Sequence, residues 1–435
     1  MTEAGPRPPR RVAITGLGVV APNGIGKEAF WHACISGLSG IRSITRFDAS
    51  ALPSRIAGEV TDFAPAQLGL TPDEYQHVDR GTQFAIAAAN LAMMDAGLAD
   101  PLSEEERERT GVYIGAVMAC AEEGEGIWRE LTDNGTRQFA PLDTAMISAS
   151  LLMPHASAAC IAAHHHLHGP SMVIATGCSA GADAIGQAYW AIQEERVDRM
   201  LAGGADSAIS PLGVDVFCVM GALSTRFNEE PQRASRPYDA LRDGFVMAEG
   251  AAVLLLEDLA LARARGAHIY AEIIAFTSNS NAHHMTALPA NGAPLQQLLR
   301  QAMQEADIEQ QQLDYINSHG SSTPPNELAE TAAYKAVFGD YAYQIPISAT
   351  KSMIGHTQGA ASAIEAAVTA LAIDQQIIPP TLNQEQSDPA CDLDYVPGRA
   401  RPTRIDVALT HSSGFGGVNS ALIFARPDWT QQHGR

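Results

Sequence analysis

A cysteine in a glycine-flanked turn is the first residue of this sequence that could perform covalent chemistry. Cys178 lies in SMVIATGCSAGADAIG, between an apolar run and a stretch with apolar residues at helical spacing. This pattern predicts a strand-to-helix turn, where backbone N–H groups and the helix dipole lower a thiol pKa below its free value of about 8.5. Most buried cysteines are structural, and we assign that role to Cys34, Cys160, Cys218 and Cys391. At Cys178 the turn favours a nucleophile.

A polar loop after a predicted strand supplies a second group. His319 ends the strand in INSHGSSTPPNELAE, and the hydroxyls of Ser321 and Thr323 follow it. Such hydroxyls could hold an amide-rich, phosphate-bearing arm. From the residues alone, a loop that caps the next helix explains the segment equally well.

Two later segments could complete a site. SATKSMIGH places Lys351 and His356 just before an Ala-rich helix, on which Glu365 could pair with the lysine. The alternative is a surface lysine and a histidine cap. SSGFGGVN places Phe415 in a glycine-rich turn beside the final strand, and glycines there permit close approach to a ligand. The turn lacks the lysine spacing of a Walker phosphate loop.

Composition excludes several classes of partner. The 435 residues include 28 Lys+Arg and 49 Asp+Glu, a formal net charge of −21. That charge argues against nucleic acid or an anionic membrane, because both require clustered cations. The cysteines show no CxxC spacing, no apolar run approaches the roughly 18 residues of a membrane helix, and the first residues lack a signal-peptide core. We therefore expect a cytoplasmic, reduced protein.

Short apolar runs alternate with longer helical stretches, which predicts an α/β fold. The first strand is expected over Val12–Thr15, followed by a glycine-rich loop, and a buried strand is expected over Ser171–Ala175. From about residue 268 the layout repeats as strand, loop with a reactive residue, and small-residue helix. We predict two structurally repeated halves, residues 11–266 with the nucleophile and residues 267–427 with the histidines, packed as one unit.

Together, TGCSAG, HGSSTP, KSMIGH and GFGG, in this order, resemble the motifs of a β-ketoacyl-acyl-carrier-protein synthase of the KAS II type, within the thiolase-fold condensing enzymes. The segments at 235–258 and 282–292 extend the resemblance over residues 11 to 427. It implies a thiolase-like five-layered αβαβα fold from two repeated halves. It also implies an acyltransferase that performs a decarboxylative Claisen condensation of a malonyl carrier protein with an enzyme-bound acyl group.

The resemblance implies a role for each reactive residue. Cys178 would take the acyl group from the phosphopantetheine of an acyl carrier protein, and no other cofactor and no metal is expected. The backbone N–H groups of Cys178 and Phe415 would form an oxyanion hole. His319 and His356 would donate hydrogen bonds to the thioester oxygen as enolate charge develops.

Supporting and substrate-binding residues follow from the same resemblance. Lys351 and Glu365 would form an ion pair that orients the site. The expected substrate contacts are Ser321, Thr323, Met118, Phe217 and Ser413. The HHHLH tract at 164–168 looks like a metal motif, but no Cys or carboxylate cluster accompanies it, and we expect a solvated or interface helix end.

Several positions depart from the fatty-acid members of the family. Gly177 stands where those members usually have Ala, and Gly at this position is seen in type II polyketide ketosynthases. Ser413 replaces a usual Phe beside the acyl pocket. Positions that are usually basic on the carrier-docking surface are Asp73, Gln76, His77 and Gly221 here. We therefore predict a dedicated carrier protein and a polyketide or polyene pathway.

Alternatives remain open. The chain could be a housekeeping fatty-acid elongation synthase, or the active subunit of a heterodimer with a chain-length factor. A non-catalytic chain-length factor would lack the nucleophile, and a thiolase would need a second catalytic cysteine, for which Cys391 is poorly placed in DPACDLD. We expect a homodimer or such a heterodimer, in which the helical segment 141–170 lines the partner's acyl pocket.

Overall fold

The computed structural model describes residues 9–98, 102–118, 120–138, 153–427 and 429. The strands are β1 Val12–Ala21, β2 Gly24–Ile25, β3 Ile41–Ser43, β4 Ile56–Gly58, β5 Thr110–Gly115, β6 Ser171–Ile174, β7 Arg199–Asp206, β8 Gly250–Asp258, β9 Ala271–Ser280, β10 Tyr315–Asn317, β11 Ile347–Ser348, β12 Ile377–Ile378, β13 Arg401–Pro402, β14 Val407–Ser413 and β15 Val418–Ala425. The helices are α1 Lys27–Ile35, α2 Pro72–His77, α3 Arg80–Asp95, α4 Glu104–Glu108, α5 Ala121–Thr132, α6 Ala156–His164, α7 Ala180–Gln193, α8 Pro211–Val219, α9 Leu259–Ala264, α10 Ala293–Glu305, α11 Pro324–Phe338, α12 Lys351–Ile354 and α13 Ala361–Gln375.

The main sheet repeats one strand order in its two parts. The order is β11-β10-β14-β15-β9 and then β1-β8-β7-β5-β6, with β9 and β1 paired where the parts meet. In each part the strand that comes third in sequence lies at the edge, followed by the second, fourth, fifth and first. The pairing directions also correspond, because β5 and β10 are parallel to both of their neighbours while the remaining pairs are antiparallel. The fold is therefore built from two repeated halves, as predicted.

Helices cover both faces of each half, which gives the predicted αβαβα layers. Helices α3 and α6 pack with β1, β5 and β8 in one apolar cluster, and α10 and α11 pack with β9, β14 and β15 in another. Between the two sheet halves, α7 and α13 form the central layer with side chains from both. The site described below lies where loops from the two halves meet.

The central helices approach closely because their side chains are small. All residues of α13 from Ala361 to Ile373 are buried. A methyl group on Gly181 of α7 would lie 2.8 Å from the Cβ of Ala363. The hydroxyl of Ser362 accepts the backbone N–H of Ala182 at 2.9 Å, which ties the two helices together.

Two sequence predictions for the strands are wrong. The glycine-rich stretch after Thr15 is part of β1, because α3 packs directly on it, and a methyl group on Gly18 would lie 1.8 Å from the carbonyl oxygen of Ala88. The strand over Ser171–Ile174 is partly exposed rather than buried, because β6 is the edge strand of the sheet.

Within the predicted helical segment 141–170, residues 141–152 lie outside the described residues, and α6 occupies part of the remainder. His164, at the end of α6, pairs with Glu74 through its Nδ1 at 2.6 Å. Among the described residues, no helix combines the length and hydropathy needed to cross a bilayer.

Candidate functional site

Cys178 lies in the short turn that leads from β6 into α7. Gly177–Ser179 form one 3₁₀ turn, in which Gly177 has a left-handed φ of 69°. A methyl group on Gly177 would lie 2.9 Å from the carbonyl oxygen of Phe415. Glycine therefore allows the turn of Cys178 to touch the loop of the other half.

Two backbone N–H groups converge on the thiol. The backbone N–H groups of Phe415 and of Cys178 itself favour the thiolate form of this sulfur and lower its pKa. Phe415 comes from the turn between β14 and β15, where Gly416 and Gly417 have φ of 84° and 81°. Donors placed beside a nucleophile can stabilise the oxyanion of an acyl group attached to it.

Burial controls the ionisation of this thiol. Cys178 is half-buried at the cavity wall. Burial raises the pKa of the Cys178 thiol to about 11, while the charge of Lys351 and the two N–H groups act in the opposite direction. The prediction of a lowered pKa is therefore wrong, because lost hydration outweighs the donors of the turn.

His356 presents a neutral imidazole with a defined tautomer. Its Nδ1 accepts the backbone N–H of Gln358 at 3.1 Å, so its ring proton lies on Nε2. Burial, and next the charge of Lys351, hold the pKa of His356 well below 6.5. The ring is therefore a neutral N–H donor at physiological pH.

His319 has the same tautomer for a different reason. Its Nδ1 lies 3.3 Å from the Nζ of Lys351 and 3.1 Å from the Oγ of Ser412. Because an ammonium group only donates, Nδ1 is the acceptor and the proton lies on Nε2. Burial, and next the charge of Lys351, hold the pKa of His319 well below 6.5. Its ring meets that of His356 edge to face, with 5.3 Å between centroids.

Lys351 and Glu365 form the predicted ion pair. Both side chains are buried, and Nζ of Lys351 donates to the Glu365 carboxylate and to the backbone oxygen of His319, the latter at 2.7 Å. Burial raises the pKa of Glu365 to about 7, and the Lys351 charge opposes the rise. The interpretation of Lys351 as a surface charge is thereby excluded.

The thiol and the two imidazoles form one reactive cluster. The Sγ of Cys178 and a ring nitrogen of each of His319 and His356 lie within 4.8 Å of one another. Such a set could ligate a metal, but ligation requires a nitrogen lone pair. Both Nδ1 atoms already accept hydrogen bonds and both Nε2 atoms carry protons. The geometry therefore fits hydrogen-bond donation rather than metal binding.

A cavity of about 390 Å³ opens onto this cluster. Of the predicted substrate contacts, Ser321, Thr323 and Ser413 line it, and the first two hydroxyls lie 2.8 Å apart. The other two do not line this cavity. Phe217 is buried behind Phe415, with 6.4 Å between the ring centroids, and Met118 is partly buried in the same apolar cluster as Phe217.

Two residues that hold the histidines have no role predicted from the sequence. Ser412 contacts the His319 imidazole and donates to the backbone oxygen of Cys178 at 3.0 Å. Gln358 fixes the His356 tautomer with its backbone, and its φ is 52°. The signal for Ser412 is its position at the end of a strand next to GFGG. A backbone donor such as Gln358 leaves no signal in residue type.

Family models match both halves of the chain. Residues 9–262 match the beta-ketoacyl synthase N-terminal domain, and residues 270–385 match the beta-ketoacyl synthase C-terminal domain. The chain belongs to the beta-ketoacyl synthase family, whose members are condensing acyltransferases.

Relatives of two kinds have similar identity to this chain. The tetracenomycin polyketide synthase ketoacyl synthase alpha subunit of Streptomyces glaucescens is 43% identical, over 97% of this chain and 98% of the relative. The 3-oxoacyl-[acyl-carrier-protein] synthase 2 of Coxiella burnetii is 42% identical, over 96% of this chain and 99% of the relative. Among solved structures, a type II polyketide ketosynthase in complex with its acyl carrier protein has a TM-score of 0.87, at 37% identity and covering 97% of this chain and all of that one. The ishigamide ketosynthase/chain length factor has a TM-score of 0.86 at 32% identity, and the match covers 96% of this chain and 99% of that one.

Proposed function

We propose that this protein is the condensing ketosynthase of a type II polyketide or polyene pathway. It joins an acyl group held on Cys178 to a malonyl unit, and both substrates arrive on the phosphopantetheine of an acyl carrier protein. The halves 11–266 and 267–427 supply the nucleophile and the enolate-stabilising donors respectively. The carrier and pathway are proposed from the names of similar proteins, which include a ketosynthase with its acyl carrier protein and several polyketide ketosynthases.

The first half-reaction transfers the acyl group. The Cys178 thiolate attacks the thioester carbonyl, and the backbone N–H groups of Cys178 and Phe415 stabilise the oxyanion. The arm thiol then leaves and takes up a proton. Lys351 favours the thiolate through its charge, and Ser321 and Thr323 contact the arm where it passes along the cavity wall.

The second half-reaction forms the carbon–carbon bond. The malonyl carboxylate leaves as CO₂, and the electron pair moves into an enolate whose oxygen accepts hydrogen bonds from Nε2–H of His319 and His356. The enolate carbon attacks the acyl carbonyl, and Cys178 leaves as thiolate. Decarboxylation supplies the carbanion, so the site requires donors rather than a strong base. The observation that carries this assignment is the pair of neutral Nε2–H imidazoles beside the thiol.

A fatty-acid elongation synthase is the second candidate, because the Coxiella burnetii relative is equally similar. Two features favour the polyketide assignment. Gly177, where fatty-acid members usually have Ala, forms a left-handed turn against Phe415. Ser413, where they usually have the larger Phe, lies at the cavity wall. We propose Met118 and Phe217 as acyl-chain contacts that act when Phe415 moves from its present position in front of Phe217.

Condensation with defined carriers tests the proposal. The purified protein is incubated with malonyl carrier protein and either a saturated long-chain acyl carrier or a polyunsaturated or aryl carrier. We expect 3-oxoacyl carrier protein and CO₂, faster with the second class of starter. His356→Ala should lose condensation while it retains acyl transfer to Cys178. No condensation with any starter would refute the activity, and a preference for saturated chains would favour the fatty-acid candidate.

A further inference from the structure

An apolar stripe follows one face of α8. Leu212, Val216 and Val219 are exposed, with Val219 at 83%, and Met220 extends the stripe just past the end of the helix. Residues spaced by four, seven and eight positions lie on the same helical face. The opposite face, represented by Val214 and Phe217, is buried in an apolar cluster. Both faces of this helix are therefore apolar, although one of them meets solvent in the single chain.

The stripe ends at the entrance to the reactive cavity. Met220 and Gly221 line that cavity together with Cys178 and the two histidines. Phe217, on the buried face of α8, stacks behind Phe415, whose backbone N–H favours the Cys178 thiolate. A molecule bound along the stripe would therefore lie beside the route by which a tethered substrate reaches the nucleophile.

Electrostatics near this entrance are weak. None of the described residues that line the cavity is Lys, Arg, Asp or Glu. On α8 the charged side chain is Asp215, and the whole chain carries a net charge of −21. An acidic carrier protein would therefore find no charge attraction among these residues, and its contact with them would come from apolar surface.

We infer that Leu212, Val216, Val219 and Met220, the α8 stripe, dock an apolar helix face of the acyl carrier protein that delivers the substrate. This inference rests on the proposed function. Its chemical content is that carrier recognition at this entrance is hydrophobic and independent of basic residues. Hydrophobic attraction is little affected by moderate salt, whereas attraction between charges is screened within a Debye length of about 8 Å at physiological ionic strength.

Binding of a carrier without its arm tests the stripe separately from catalysis. A fluorescently labelled apo acyl carrier protein of the type II polyketide class is titrated with the wild-type protein, Val219→Glu and Met94→Glu. Met94 is a matched control, because it is 64% exposed on α3. We expect Val219→Glu to weaken binding at least tenfold and Met94→Glu to leave it unchanged. Wild-type affinity should not fall between 50 and 500 mM NaCl, because salt weakens the repulsion between two acidic molecules and leaves apolar contact in place.

Several outcomes would overturn the inference. They are equal binding by Val219→Glu and wild type, no binding by the wild type, a steep loss of affinity with salt, or a change of oligomeric state in Val219→Glu. The last would assign the stripe to a subunit interface. Acylation of Cys178 by a small acyl-N-acetylcysteamine thioester keeps the two proposals apart. If the wild type is not acylated, the proposed function fails, whereas equal acylation of wild type and Val219→Glu isolates the docking step.

Discussion

The proposed mechanism requires a charged thiolate at Cys178 and neutral imidazoles beside it. Burial raises the pKa of Cys178 to about 11 and holds the pKa values of His319 and His356 well below 6.5. The same burial therefore makes the thiol hard to ionise and keeps both imidazoles neutral. Lys351 favours the thiolate and further disfavours a charged imidazole, so in the proposed mechanism one cation serves both half-reactions.

The pH dependence of acyl transfer should reflect these values. A thiol with a pKa of about 11 is mostly protonated from pH 7 to 10, and its thiolate fraction rises about tenfold per pH unit. We expect the single-turnover rate with a small thioester to rise accordingly, without a break near pH 6.5. Stopped-flow acylation measures this. A plateau above pH 7, or an inflection near 6.5, would show that the thiol or a histidine titrates in the neutral range.

The residues that form the site could be predicted from the sequence, whereas the burial and hydrogen bonds around them could not. The motifs identified Cys178, His319 and His356 and the pairing of Lys351 with Glu365, because reactive residue types are conspicuous beside glycine and small residues. The predicted direction of the shift in the thiol pKa was wrong, because desolvation depends on packing from the other half of the chain. Backbone donors such as Gln358 leave no trace in residue type.

Helices α12 and α13 are joined by the buried pair of Lys351 and Glu365. Breaking such a pair leaves a buried charge without a partner, which costs about 3 kcal/mol. We expect Lys351→Met to lower the free energy of unfolding by about this amount, measured by urea denaturation. The double variant Lys351→Met/Glu365→Leu should recover part of the loss.

Lys335→Met is the matched control for that prediction, because Lys335 pairs with Asp392 at the surface. An exposed pair contributes about 0–1 kcal/mol. Equal destabilisation by Lys351→Met and Lys335→Met would contradict the assignment of a buried, structurally required pair.

The strands around these helices were less predictable, since β1 continues through glycines that the sequence indicated as loop.

Strand β6 is the exposed edge of the sheet. The carbonyl oxygens of Pro170 and Ile174 accept from β5, so the intervening Val173 directs its N–H and C=O away from the sheet. An edge of this kind is suited to pairing with another subunit.

We expect the protein to be a dimer by analytical ultracentrifugation at micromolar concentration. Val173→Pro should be a monomer, because it removes the outward donor. Val173→Ala should remain dimeric. A monomeric wild type, or a dimeric proline variant, would contradict this account.

At the scale of the molecule, the two halves have one strand order and contribute different parts of one site. The repeated layout was predictable, because strand, reactive loop and small-residue helix recur along the chain. The net charge of −21 excluded some partners but did not show how a carrier is recognised. Exposure of the α8 stripe supplies that information, because it depends on which helix face the fold leaves open.

Intact-mass measurement of the protein after incubation with an acylated carrier protein shows directly whether Cys178 takes up the acyl group. We expect the wild type to gain the mass of one acyl group and Cys178→Ala to gain none. Cys160→Ala, which removes another partly exposed thiol, should be acylated like the wild type. Acylation that persists in Cys178→Ala would contradict the assignment of Cys178 as the nucleophile.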